Sequence, residues 1–193
     1  MARTKEFDPD AALEQAMELF WRRGYESTSM ADLVEHLGIA RASLYGTFGS
    51  KHALYLAALK RYLEPREASF VRDLSQPGPV LPAVRALVEG WAEEALRDPD
   101  RRGCLVVNAA VELSTRDTEV AHRVEMSWGI LETTLTSALL RAQASGELPK
   151  DKDPQALARF LLVMLQGIRV VARAAPEPGR LRAAAAQALA ALE

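Results

Sequence analysis

The sequence predicts an all-α fold, and three observations support this prediction. Apolar residues recur at helical spacing along most of the 193-residue chain. The periodic segments begin at capping residues or prolines and end at glycines or proline-containing turns. No segment shows the alternation rich in Val, Ile and Thr that a β-strand requires. Because 49% of the residues are hydrophobic and 26% are charged, the chain can bury a core, which excludes a disordered or fibrous protein.

Three short helices are predicted before residue 50. The first follows the N-cap and first-turn proline of Asp8-Pro9. The second begins where Ser29 and Asp32 resemble a capping box, and the third occupies residues 41–48. Each helix stops at a glycine, and these glycines are Gly24, Gly38 and Gly49. Two brief helices that meet across a tight turn have the spacing of a helix-turn-helix.

A long helix and five further helices are predicted after residue 50. Ser50 caps the long helix, and Pro65 either ends or kinks it, since residues 69–74 remain compatible with a helix. The later helices are predicted over 80–97, 103–115, 117–145, 154–174 and 178–192. These elements divide the chain into an N-terminal domain, a linking helix and a C-terminal domain, at residues 1–49, 50–75 and 76–193.

The charge of the chain is balanced overall but uneven locally. The 24 Lys and Arg residues oppose 26 Asp and Glu residues, so the net charge is -2 and the molecule is not a general polyanion binder. Residues 36–62 nevertheless hold four basic residues and no acidic one, whereas residues 1–35 hold four basic and eight acidic residues. A basic patch confined to one region suits contact with phosphates on one face of the molecule.

The residue inventory also excludes several classes of protein. The single cysteine, Cys104, cannot form an internal disulfide, and no apolar targeting segment or membrane-spanning run is evident. A cytoplasmic location without a membrane partner is therefore expected. The three histidines lack metal-ligand spacing, and no glycine-rich phosphate loop or nucleophile elbow is present. We expect neither an enzyme nor a bound metal or cofactor.

The segment 41–48 has the properties that a helix in a DNA major groove requires. At helical spacing, Leu44 and Phe48 share one face, where they pack on the second helix. This arrangement turns small, hydrogen-bonding and basic side chains outward, and they are Arg41, Ala42, Tyr45 and Gly46. Small residues permit close approach to the bases, and polar groups reach base edges and phosphates.

These residues resemble the DNA-binding signature of the TetR-type (TetR/AcrR) transcriptional regulators. The resemblance covers roughly residues 10–60 and rests on TSMADL at 28–33 followed by GIARASLYGTFGSK at 38–51. It implies an Ω-shaped, all-helical homodimer with an N-terminal helix-turn-helix domain of three helices. It also implies a linking fourth helix and a larger C-terminal domain for ligand binding and dimerisation.

The resemblance assigns DNA contacts position by position. It implies phosphate contacts from the start of the second helix and from the third and fourth helices, at Thr28, Ser29, Ser43, Tyr45 and Lys51. It implies that four residues face the bases, namely Arg41, Ala42, Gly46 and Thr47, with Arg41 the candidate for guanine. The sequence departs from the family pattern at two positions, and both changes weaken the short helix. Ala40 stands where the family often has a capping residue, and Gly46 stands where a bulky side chain is common.

Two further pairs of basic residues allow two interpretations each. Lys60 and Arg61 either contact phosphate late on the fourth helix or lie on a solvated face. Arg3 and Lys5 either form a minor-groove arm or play no part in binding.

The C-terminal helices suit a largely apolar ligand. Candidate ligand contacts are the aromatic, soft and polar residues in an otherwise Leu, Val and Ala surround: Trp91, Cys104, Asn108, Trp128, Met164 and Gln166. The same surround contains Glu112, Met126 and Arg169. Core filling is the alternative for the Trp and Met residues. Cys104 is either a small buried residue or, behind Arg101-Arg102 at a helix start, a redox or electrophile sensor.

The last two helices carry apolar stripes that suit a dimer interface. The predicted interface residues are Leu161, Leu165, Ile168, Leu181, Ala185 and Leu189, which would pair across a two-fold axis as a four-helix bundle. The alanine-rich run 183–191 allows close approach of helices, although it suits an intrachain cap over the ligand pocket equally well.

Together these patterns favour a ligand-responsive regulator that binds double-stranded operator DNA as a homodimer. The expected mechanism is repression, with an unknown small-molecule effector changing the spacing between two recognition helices. Two alternatives remain open, namely an activator of the same fold and a helical small-molecule carrier that does not bind DNA.

Overall fold

The computed structural model describes residues 7–193, and this part of the chain is helical and contains no strand. The helices are α1 (Pro9–Arg23), α2 (Met30–Leu37), α3 (Arg41–Phe48), α4 (Lys51–Leu74), α5 (Leu81–Leu96), α6 (Leu105–Leu113), α7 (Thr118–Ser145), α8 (Pro154–Ala174) and α9 (Pro178–Ala190). Their order confirms the all-α prediction. The predicted ends lie within two residues of the observed ends, as is usual where helix termini fray.

Caps explain where the N-terminal helices begin and end. The Ser29 hydroxyl accepts the Asp32 N–H at 3.1 Å, and the Asp32 carboxylate accepts the Ser29 N–H at 2.7 Å, so the predicted capping box is present. Gly38 ends α2 with φ of 63°, a left-handed conformation that favours glycine. At the start of α3, Ala40 provides no side-chain cap, as the sequence indicates.

The fourth helix is continuous and links two apolar clusters. It runs from Lys51 to Leu74 with Pro65 inside it, so Pro65 does not end the helix. The first half of α4 packs with α1, α2, α3, α6 and the beginning of α7. The end of α4 packs with α5, the remainder of α7, α8 and α9. The helix-turn-helix region therefore shares its core with α6 rather than forming a cluster of its own.

Candidate functional site

The third helix has a polar face toward solvent and an apolar face toward the core. Leu44 is buried and Phe48 is half-buried against the cluster that contains Leu33. The outward-facing residues are exposed, as predicted, and they are Arg41, Ala42, Tyr45 and Gly46. The Arg41 guanidinium carbon lies 5.7 Å from the centre of the Tyr45 ring. Ser43 and Thr47 are half-buried at the edges of this face.

The residues that flank α3 fall into two groups. Ser29 is exposed, and Lys51 places its Nζ atom 4.1 Å from the centre of the Tyr25 ring, beside the start of α4. Thr28, in contrast, is fully buried, and its hydroxyl donates to the Gly24 carbonyl oxygen at 2.7 Å. The prediction that the Thr28 side chain contacts phosphate is therefore wrong, because this hydroxyl stabilises the turn between α1 and α2.

The other basic residues considered for phosphate binding are engaged elsewhere or lie outside the described chain. The Arg61 Nε atom donates to Glu14 at 2.6 Å, and Lys60 lies 3.5 Å from Glu64. These contacts favour the solvated-face interpretation for both residues. Arg3 and Lys5, for which a minor-groove arm is one interpretation, lie outside residues 7–193.

A set of polar contacts attaches the C-terminal helices to α1. Glu112 on α6 accepts the N–H groups of Tyr25 and Glu26 at 3.0 and 2.7 Å. On the loop before α6, the Gly103 carbonyl oxygen accepts Trp21 Nε1–H at 3.1 Å. The same loop carries Arg102, whose guanidinium pairs with Glu18 at 2.7 Å and lies over the Trp21 ring. This loop and α6 are thus bonded directly to α1 and to the turn that follows it.

A cavity of about 610 Å³ lies between α4 and α5, with α8 contributing one residue to its wall. Its lining mixes apolar, aromatic and charged side chains: Tyr62, Arg66, Ser69, Phe70, Asp73, Leu74, Gln76, Ala83, Ala86, Leu87, Gly90, Trp91, Glu94, Cys104 and Arg169. An adjoining recess of about 40 Å³ shares part of this wall and adds Trp128 and Gln166. The Trp128 Nε1–H is buried without an acceptor among the described residues.

The structure brings four of the six predicted ligand residues together and separates two. Trp91 and Cys104 line the cavity, and Trp128 and Gln166 line the recess beside it. The Asn108 side chain lies elsewhere and donates to the Arg102 carbonyl oxygen at 2.9 Å. Met164 packs against the C-terminal apolar cluster, as core filling requires. Neither Asn108 nor Met164 lines this cavity, and Asn108 lies instead on a separate recess that Glu112 and Arg169 also line.

Sequence reasoning missed the contribution of α4 to the cavity. Tyr62, Arg66 and Phe70 line the wall one turn apart on a single face of this helix. The signal in the sequence is an aromatic, a basic and an aromatic residue at spacings of four along α4. Burial raises the pKa of Tyr62 well above its ordinary value, so its hydroxyl stays protonated and donates to the Cys104 sulfur at 3.5 Å.

Cys104 is almost completely buried at the N-terminus of α6. The sensor interpretation depended partly on positive charge from Arg101 and Arg102. The Arg102 guanidinium, however, is paired with the carboxylates of Glu18 and Asp98 at 2.7 and 3.2 Å. The charge of Arg102 is thus paired, and the burial of Cys104 favours its interpretation as a small buried residue.

The predicted dimer stripe is buried within the chain. The six predicted interface residues are each 4% exposed or less and belong to the C-terminal core: Leu161, Leu165, Ile168, Leu181, Ala185 and Leu189. That prediction is corrected, because these side chains are already covered by α5, α7 and their neighbours. The opposite face of α8 exposes Phe160, Val163 and Val170, and α7 beside it exposes Leu140.

This second apolar face makes α8 unusually hydrophobic. By length and composition alone, α8 is apolar enough to cross a membrane. Its inner face is part of a protein core, however, and Arg159 at its edge pairs with Glu132 of α7 at 2.9 Å. An apolar outer face on a packed helix is typical of a surface that is covered by another protein chain.

Comparison with known families and proteins gives a consistent result along the chain. The model described as "Bacterial regulatory proteins, tetR family" matches residues 12–58, and "Tetracyclin repressor-like, C-terminal domain" matches residues 80–189. The HTH-type transcriptional regulator YezE of Bacillus subtilis (strain 168) is 41% identical over 184 residues, covering 94% of each chain. The HTH-type transcriptional repressor ComR of Escherichia coli (strain K12) is 36% identical, covering 89% of this chain and 82% of its own.

A solved structure extends the similarity to the whole fold. A cysteine mutant of the TetR family transcriptional regulator CifR, complexed with 26-bp double-strand operator DNA, superposes with a TM-score of 0.88. It is 33% identical in sequence, and the match covers 100% of both chains.

Proposed function

Because the chain belongs to the TetR family of transcriptional regulators, we propose that it represses transcription by binding a pseudo-palindromic DNA operator as a homodimer. A small-molecule effector in the cavity between α4 and α5 releases the operator. Membership of this family of regulators also confirms that the chain is not an enzyme. The proposed setting is the cytoplasm, where such a regulator meets DNA.

The observation that supports sequence-specific DNA binding most directly is the exposed polar face of α3. Its apolar side is held in the core by Leu44, while Arg41 extends from the first turn into solvent. The proposed base-facing residues are Arg41, Ala42, Gly46 and Thr47, and the proposed phosphate contacts are Ser29, Ser43, Tyr45 and Lys51. The operator complex of the similar CifR mutant supports this assignment by analogy of fold.

Dimerisation is proposed through the outer faces of α7 and α8. Phe160, Val163, Gly167 and Val170 recur three or four positions apart, so they form one exposed stripe along α8. Leu140 continues the exposed apolar surface on α7. Pairing of these two helices with their symmetry mates buries the stripe in a four-helix bundle. This replaces the inner stripe predicted from the sequence.

The proposed coupling runs from the cavity to α1. Cys104 lines the cavity and is adjacent to Gly103, whose carbonyl oxygen holds Trp21 of α1. Arg173 of α8 also donates to the Arg102 carbonyl oxygen at 3.1 Å. An effector that displaces this loop therefore moves α1 and, with it, the spacing of the two recognition helices. The proposed division into segments 1–49, 50–75 and 76–193 places this loop in the C-terminal domain.

The test is selection of bound duplexes from a randomised DNA pool by the purified protein at moderate salt. We expect enrichment of one inverted repeat. Arg41→Ala should lose about 1–3 kcal/mol of discrimination at one base pair of each half-site. Lys51→Ala should instead weaken binding to all sequences and lower the salt dependence, since it removes a phosphate contact.

Arg85→Ala is the matched control, because Arg85 is exposed on α5 and paired with Glu89 at 3.5 Å. Its enriched sequence and salt dependence should equal those of the unchanged protein. Absence of any enriched repeat from folded, dimeric protein freed of co-purified ligand would favour the carrier alternative.

A further inference from the structure

The cavity between α4 and α5 has a guanidinium built into its wall. Arg169 of α8 is only 7% exposed, although it lines the cavity. One terminal nitrogen pairs with Glu94, while the buried Nε–H has no acceptor among the described residues. A buried charged donor without a partner is costly to maintain, so it marks a place where a ligand acceptor fits.

The charges at this end of the cavity do not balance. Arg66 of α4 lies beside Arg169, and the two guanidiniums share the single carboxylate of Glu94, at 3.7 Å from Arg66. The other acidic residue of the lining, Asp73, is seven residues further along α4, which is about 10 Å at 1.5 Å per residue. It is already paired with Arg72 at 3.0 Å. Among the residues that line the cavity, this end therefore carries two positive charges against one negative charge, while Glu67 lines the adjoining recess.

Apolar side chains line much of the remaining wall, beside the polar residues Ser69, Asp73 and Gln76. Phe70, Leu74 and Leu87 extend from the charged end along α4 and α5, and the Trp91 ring lies 5.0 Å from the Arg169 guanidinium carbon. A volume of about 610 Å³ is within the range that encloses a small organic molecule. The occupant thus needs one negative group and an apolar or aromatic body.

We propose that this cavity binds a small organic carboxylate, with its carboxylate group between Arg66 and Arg169 and its apolar body along Phe70, Leu74 and Leu87. A planar carboxylate matches guanidinium donors in geometry, and its single charge matches the local excess of one positive charge. The site is defined by these contacts alone, whereas its role as an effector site rests on the proposed function.

Calorimetric titration of the full-length protein without DNA tests the site. The probes are 4-phenylbutyrate and octanoate, each compared with its methyl ester, which keeps the body and removes the charge. We expect at least one acid to bind, and its ester to bind about tenfold more weakly or not at all. If neither acid binds more tightly than its ester, the proposal is wrong.

Two variants with opposite expected effects separate ligand contact from a structural role. Arg66→Gln should weaken binding of the acid about tenfold, because one charge-assisted contact is lost. Glu94→Gln should tighten it, because the carboxylate that competes for both guanidiniums is removed. Arg85→Gln, on the exposed side of α5, should leave the affinity unchanged. Equal effects of Arg66→Gln and Arg85→Gln, or weakening by both Arg66→Gln and Glu94→Gln, would overturn the assignment.

Thermal melting identifies variants that fail to fold. If Glu94→Gln fails to fold, the comparison of Arg66→Gln with Arg85→Gln tests the carboxylate site alone. Fluorescence anisotropy of the selected operator then separates the two proposals. Binding of the acid without operator release supports the carboxylate site and contradicts its effector role. Operator binding without acid binding leaves the regulator proposal intact and contradicts the carboxylate site.

Discussion

The carboxylate of Glu112 accepts the backbone N–H of Tyr25 at 3.0 Å, so a side chain of α6 completes the turn that follows α1. Its second oxygen accepts the N–H of Glu26 at 2.7 Å. Gly24 precedes these amides with φ of 86°, and a Cβ atom there would lie 2.9 Å from Glu112 Oε2. The positive φ, together with this close approach, explains why glycine occupies this position. Glu112 is one of several direct links between the C-terminal helices and the helix-turn-helix region.

Glu112→Ala should destabilise the protein by about 1–3 kcal/mol, because two backbone donors lose a charged acceptor. It should also weaken operator binding, since the entry into α2 is no longer held. Urea unfolding and operator titration measure the two effects. Glu125→Ala is the control, because Glu125 is exposed on α7. Equal stability of the two variants would show that the contact with Tyr25 and Glu26 contributes nothing.

Gly46→Ala should stabilise the protein by up to about 1 kcal/mol, because glycine is exposed in the interior of α3 and alanine is the better helix former. A Cβ atom at this position meets nothing within 4 Å. Thermal unfolding measures the change, and selection of DNA shows whether the added methyl alters the bases read.

Gly49→Ala is the matched comparison for Gly46→Ala. Its Cβ atom also meets nothing within 4 Å, but φ is 80° there. Alanine is strained in that conformation, so this variant should be less stable than the unchanged protein. A gain in stability at both positions would contradict the backbone explanation.

Val163→Glu should convert the dimer to a monomer, because the side chain is 71% exposed at the centre of the apolar stripe on α8. A charge buried there without a partner opposes association. Light scattering after size exclusion measures the mass, and circular dichroism should show unchanged helix content. Ala184→Glu, on the exposed side of α9, should remain dimeric. A Val163→Glu variant that stays dimeric would show that the dimer interface lies elsewhere on the protein.

The contact between Asp117 and His52 predicts a dependence of stability on pH. Burial opposes ionisation of Asp117, but hydrogen bonds from the Val120 N–H and from His52 outweigh it, so the pKa of Asp117 lies below its ordinary value. Ionised Asp117 therefore stabilises the fold above the unfolded-state pKa of about 3.9. This contribution is lost as the pH falls through the lower folded-state pKa.

Asp117→Asn should thus reduce stability at pH 7, and its difference from the unchanged protein should shrink as the pH falls below about 4. Urea unfolding over this pH series provides the measurement. Asp151→Asn, an exposed change, should give curves parallel to those of the unchanged protein. A difference that persists at the lowest pH would mean that Asp117 acts through something other than its charge.

The helices and the polar face of α3 follow from local signals along the chain. Capping by Ser29 and Asp32, the stop at Gly38 and the helical spacing of Leu44 and Phe48 are local properties, which depend on residues a few positions apart. These local signals are sufficient to predict the helices, because the backbone hydrogen bonds of a helix join residues of the same segment. The motif that indicates DNA binding lies entirely within such segments.

Which apolar face of α8 is covered depends on the packing of the other helices, since both faces have helical spacing. Leu165 lies in the core and Val163 in solvent because α5, α7 and α9 pack on one side of α8. Similarly, the residues that form the cavity come from α4, α5 and α8, and Arg66 meets Arg169 across about a hundred positions of chain. Contacts at such separations depend on how helices pack, and neither spacing nor composition along the chain specifies that packing.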